Sequence, residues 1–126
     1  MRAMKHYGDL IKERLAGAGL TFAQPKVLYS LIKHDGITQR ELAEQCYVDS
    51  TTMSRLLDGM EQKGLITRRD SDDCRRSFSI HITASGREKM TKAGIIMQEV
   101  EEQLLKDFSE KEKEQFFDFL GRIERA

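Results

Sequence analysis

Apolar residues recur at helical spacing along most of this chain, and the pattern switches to strict alternation in one short stretch past its middle. Met4, Tyr7, Leu10, Ile11 and Leu15 predict a helix over residues 3–16. Gly17 and Gly19, on either side of Ala18, break it. A second helix starts around Phe22, with Pro25 in its first turn, where a missing N–H costs little. Val27, Leu28, Leu31 and Ile32 form its buried stripe, and His34-Asp35-Gly36 ends it. Thr38 and Glu41 have capping-box spacing and open a third helix, with each side chain expected on the other's backbone N–H. Leu42, Ala43 and Cys46 face inward from it, and Tyr47-Val48 is the turn. Asp49 caps a fourth helix over residues 50–63, whose apolar stripe is Met53, Leu56, Leu57 and Met60 and whose stop is Lys63-Gly64.

Two strands follow. Ile66–Arg69 is the first, and Phe78, Ile80 and Ile82, alternating with Ser79 and His81, mark the second. Residues 70–77 between them read as a polar loop. Thr83 then caps a long helix that runs to about Asp107, with Met90, Met97, Val100, Leu104 and Leu105 on its apolar side. Such a helix spans roughly 36 Å, more than a compact winged domain can cover. Ser109 and Glu112 repeat the capping-box spacing ahead of a last helix bearing Phe116, Phe117, Phe119, Leu120 and Ile123. The fold class is therefore mainly α with a small β-hairpin wing. Two short helices followed by a charged hairpin make a winged helix-turn-helix, which lays one helix in the DNA major groove and a loop beside it.

Length and composition bound this reading. The 126 residues suggest one domain that buries roughly two-thirds of its unfolded surface. No apolar run approaches the roughly 20 residues of a membrane span, and the N-terminus MRAMKHYGDL lacks the apolar core of a signal peptide, so the chain is expected in the cytoplasm, away from membranes. Charge works against DNA. The formal net charge is +0, and residues 38–83 carry seven Lys and Arg against eight Asp and Glu. Placement offsets this: Arg68, Arg69, Arg75 and Arg76 cluster on the hairpin, while the acidic residues are densest after position 99. DNA affinity should then depend on a few well-placed arginines.

The outward face of residues 50–63 has the chemistry a reading helix needs. Ser50, Thr51, Thr52 and Ser54 supply hydroxyls for phosphates or bases, and Arg55 can take a guanine or a phosphate. Arg75 and Arg76 sit by the hairpin turn, where an arginine can enter a narrow minor groove. A solvated helix face and a charge-mixed turn would look similar one at a time. Their occurrence together, at this spacing, favours DNA.

These residues resemble the MarR family of bacterial transcription regulators, from about Leu20 to Gly86. Leu20-Thr21-x-x-Gln24, Leu42-Ala43-Glu44 and the run Val48 to Asp58 are similar to the family's second helix and helix-turn-helix. Lys63-Gly64-Leu65-Ile66-x-Arg68 and Arg75-Arg76 are similar to its wing, and Ile82-Thr83-x-x-Gly86-Arg87 to the start of its long dimerisation helix. The resemblance implies a homodimer in which the first, fifth and sixth helices pack together. Within a single domain, residues 20–83 would then be the winged DNA-binding region, and residues 1–19 and 84–126 the N- and C-terminal dimerisation helices. It further implies a pseudo-palindromic double-stranded operator, usually repressed and released by a small-molecule effector or by oxidation. Carried over, Ser50, Thr51, Thr52, Ser54 and Arg55 would contact the groove or phosphates, and Arg75 and Arg76 would be wing contacts, with Asp49 a tether for Arg76. The chain departs from the family at Cys74, where wings commonly carry Asp, and at Tyr47, where the turn often has Gly. A left-handed turn is not expected at Tyr47.

Little else suggests chemistry. Cys46 reads as a small buried hydrophobe, and Cys74 as an exposed wing thiol that is inert unless Arg75 activates it. No Cys/His spacing resembles a metal site, and no cofactor is implied. Tyr7, Tyr29 and His34 are candidates either for packing or for lining an effector pocket. Without a phosphate loop, nucleophile elbow or paired His/Glu motif, an enzyme is the weakest reading. The main competitor is a winged domain that scaffolds protein partners, with Arg68 to Arg76 as surface charge. Net neutrality favours that reading, and the hydroxyl-bearing face of residues 50–55 favours DNA.

Overall fold

The computed structural model describes residues 2–71 and 74–125, with the side chains of residues 3, 4, 71 and 74–77 outside that description. Six helices and one hairpin follow in the order α1 (Arg2–Gly17), α2 (Gln24–Lys33), α3 (Gln39–Gln45), α4 (Ser50–Gln62), β1 (Ile66–Ser71), β2 (Cys74–Ile82), α5 (Ala84–Leu104) and α6 (Glu110–Glu124). The mainly α architecture with a hairpin wing is the one the sequence predicts. No described helix is long and apolar enough to cross a membrane.

The ends of the elements follow from their capping residues. Asp49, Thr83 and Ser109 each accept a backbone N–H three residues on, from Thr52, Gly86 and Glu112. At Ser109 the box closes both ways, with Glu112 Oε1 accepting the Ser109 N–H at 2.8 Å. At Thr38 only half of the expected box forms: Thr38 Oγ1 accepts Glu41 N–H at 3.1 Å, without a return bond. Residues 36–38 instead run antiparallel to β2, with Gly36 N–H donating to Ile80 O at 2.8 Å and Ile80 N–H to Ile37 O at 2.9 Å. This edge pairing extends the two-stranded sheet and ties it to the start of α3.

The core lies between α2, α3, α4 and the sheet. Leu28, Leu31, Leu42, Met53, Leu57 and Ile80 are fully sealed. Ile66 and Ile82 pair across the base of the hairpin, Arg68 faces Ile80, and Asp70 faces Phe78. The register then jumps to Ser71 opposite Cys74, so Arg75, Arg76 and Ser77 are residues by which β2 outruns β1. Most of the stretch read as a polar loop is thus strand with a bulge, a feature that bends a ribbon and re-aims it.

Other differences are local. α2 begins at Gln24 and leaves Phe22 exposed, while Gln24 is buried with its Oε1 accepting Thr21 N–H at 3.0 Å. Ile32 lies outside the stripe and is exposed, because the sealed face of α2 is already filled by Val27, Leu28 and Leu31. α5 stops at Leu104 and buries Gly86, Ala93 and Val100, a seven-residue repeat of small groups, leaving Met97 largely outside. Small side chains let the long helix approach its neighbours closely. A Cβ on Gly86 would sit 2.2 Å from Leu65 O.

Candidate nucleic-acid interface

α3, its turn and α4 form the helix-turn-helix. The turn is tight: Tyr47 N–H donates to Glu44 O at 3.2 Å and Val48 N–H to Ala43 O at 3.1 Å. Contrary to expectation, Tyr47 takes the left-handed conformation, with φ 56°, the sole non-glycine residue to do so among those described. The cost is about 1–2 kcal/mol, covered by the packing on either side. Its ring is exposed and lies 5.3 Å from Lys26 Nζ.

Asp49 Oδ1 then accepts Thr52 N–H at 2.7 Å and starts α4. That backbone hydrogen bond holds the Asp49 carboxyl below its ordinary range, with a smaller contribution from the Arg55 charge. Asp49 is therefore engaged as a cap by Thr52. Met53, Leu57 and Met60 anchor one side of α4 in the core. Ser50, Thr51, Thr52 and Arg55 are exposed on the other side, and Ser54 is half-buried. The five sequence-predicted helix residues thus share one outward region at the start of α4.

The wing residues divide. The backbone of Arg75 and Arg76 belongs to β2 at the bulge, and their side chains, like that of Cys74, lie outside the described residues. Arg69 is exposed. Arg68 turns inward: its Nη2 pairs with Asp58, lies 3.7 Å from Glu61 Oε1, and its side chain is 15% exposed. The sequence held the clue, because Arg68 has the same strand parity as buried Ile66. Its charge serves α4, whereas Arg69 is left in solvent.

Between α3, the start of α4 and the wing lies an open cleft of about 590 Å³, lined by Gln39, Arg40, Ser50, Ser54 and Phe78 among others. Sequence reading missed Gln39, Arg40 and Phe78 here. Phe78 continues the parity of Ile80 and Ile82 but lies beyond the cover of the core and is exposed. Glu44 and Asp49 line the same cleft, so its charge is mixed. A second cleft of about 450 Å³ opens between α1, α2 and α5, with Tyr7, Ile11, Tyr29 and Met90 in its walls and Lys26 at hand. Tyr7 and Tyr29 line it as considered above; His34 does not. Cys46 is buried, with its Sγ 3.8 Å from Ser30 Oγ. Among the described residues no cluster suited to a metal ion is found.

The architecture is that of a winged helix-turn-helix protein, with α4 as the helix presented to solvent. A sequence profile of the MarR family matches residues 18–77. The organic hydroperoxide resistance transcriptional regulator of Bacillus subtilis (strain 168) is 39% identical over 75 residues, 60% of this chain and 51% of that protein. The chain thus matches about half the length of that relative. The uncharacterized HTH-type transcriptional regulator YwoH of the same strain is 32% identical over 104 residues, covering 82% of this chain and 75% of that one. A crystal structure of MarR superposes with a TM-score of 0.87 at 29% identity, over 97% of this chain and 83% of the other. The chain belongs to the MarR family. The relatives it matches are named as transcriptional regulators, not enzymes.

Proposed function

We propose that two copies of this chain bind a pseudo-palindromic operator and repress transcription in the cytoplasm. Each copy places α4 in the major groove through Ser50, Thr51, Thr52, Ser54 and Arg55, with Arg75 and Arg76 of the wing alongside. Residues 20–83 read the DNA, while 1–19 and 84–126 hold the dimer. The observation that carries this reading is the division of α4: an apolar side sealed into the core and a hydroxyl- and arginine-bearing side left free. α6 supports the dimer, since Phe116, Phe117, Phe119, Leu120 and Ile123 are all exposed on one helix. The cleft between α1, α2 and α5 supports release by a small, largely apolar molecule. Burial of Cys46 speaks against oxidation at that thiol.

The test is enrichment of duplexes from a random-sequence pool, followed by titration at several salt concentrations. Binding should weaken steeply with salt. Arg55→Ala should cost about 1–3 kcal/mol if it reads a base, and Arg76→Ala should weaken binding. Unchanged affinity in both variants contradicts this docking. If no duplex is enriched, the scaffold reading takes its place.

A further inference from the structure

The last turn of α4 is a junction between the reading helix and the two helices assigned to the dimer. Lys63, the C-cap of α4, donates from Nζ to Gly19 O, just past the end of α1, at 3.1 Å. Lys89 of α5 donates from Nζ to the adjacent Ala18 O at 2.5 Å. On the other side, Thr83 Oγ1 donates to Gly64 O at 2.6 Å and Thr83 N–H to Leu65 O at 3.1 Å, while Gly86 packs on that same Leu65 carbonyl. α4 is thus fastened to α5 through residues 64 and 65, and to α1 through Lys63. Gly19 is itself in the left-handed region, φ 77°. Ammonium groups at a helix C-terminus also meet the negative end of its dipole.

We infer that Lys63 is a positioning residue that sets the angle between the reading helix and the dimer arm, and through it the operator half-site spacing this regulator accepts. The inference rests on the proposed dimeric DNA binding. Two reading helices joined by rigid arms demand half-sites about one helical turn apart. Each added base pair rotates one half-site away by about a tenth of a turn. Tolerance to such changes then depends on how stiffly α4 is held to α1. Of the bonds at the junction, the one from Lys63 can be removed with least risk to the fold, because its side chain is exposed.

The experiment uses a palindromic duplex enriched from a random pool by the parent protein, together with versions carrying one base pair more or fewer at the dyad, and a single half-site duplex. The parent should lose about tenfold in affinity for each one-base-pair change. Lys63→Met, and more so Lys63→Met with Lys89→Met, should flatten that loss to about threefold while leaving half-site affinity and the dimer seen by sedimentation unchanged. A Lys63→Met variant that keeps the parent's spacing preference overturns the inference. So does one whose main change is a shallower salt dependence on every duplex, since Lys63 would then be a phosphate contact. A parent that enriches duplexes but has no spacing preference removes the rigid-arm argument. A parent that enriches none removes the DNA reading itself.

Discussion

In the winged half of the molecule, Met53, Leu57 and Met60 of α4 are sealed against α2, α3 and the sheet, whereas in α6 no residue is buried at all. α6 nevertheless begins with a fully closed capping box and carries five large apolar side chains. Phe116 contacts Phe117 at 5.6 Å and Phe108, just ahead of the helix, at 6.3 Å, instead of entering the core. The contrast separates two uses of amphipathicity. In α4 the apolar stripe is satisfied within the chain and the polar side is left in solvent. In α6 local signals define the helix, and its apolar side stays exposed in the single chain, the surface on which the proposed dimer rests. The stripe of α4 belongs to the chain's own core, and that of α6 does not.

The sharpest way to break this comparison is Leu120→Glu. A charge in the exposed apolar stripe of α6 should turn a dimer into a monomer at micromolar concentration, read by sedimentation, while the far-UV spectrum of the winged half stays native. Loss of the fold together with the dimer would show that the winged half is not self-sufficient. Gly86→Ala attacks the other side. The added methyl would meet Leu65 O at 2.2 Å, a backbone atom that cannot rotate away, so unfolding should become easier by about 3 kcal/mol in a denaturant titration.

The smallest effect belongs to Asp49→Ala, which removes the cap of α4 and should lower the thermal midpoint by a few degrees at neutral pH. Its sign with pH is fixed by the lowered carboxyl value. Asp49 contributes stability above the ordinary value of 3.8, and that contribution is lost as pH falls through the lower folded value. Parent and variant should therefore converge in acid, and a gap that stays constant down to pH 2 would rule out the cap as its source.

Much of this architecture was legible because local chemistry and tertiary packing agree. Asp49, Thr83 and Ser109 were readable as caps, and the stripe of α4 as core, from spacing alone. The reading stopped where two influences compete. Thr38 looked like half of a reciprocal box, but its segment pairs with β2. Arg68 looked like one of four wing cations, yet alternation along β1 turns it toward Asp58 and Glu61. Ile32 and Phe78 have buried-type spacing but lie beyond the core's edge. The junction of Lys63 and Lys89 with Ala18 and Gly19 had no sequence signal, because it joins segments far apart in the chain through backbone carbonyls.

Tyr47 carries a consequence of its own. A tyrosine at φ 56° holds the bend between α3 and α4 in a shape that most side chains resist. The rest of the fold must supply that difference, so the elbow ahead of α4 is a point of stored tension. The two ends of one helix are therefore unequal: one follows a strained turn, and the other is held by Thr83 through Gly64.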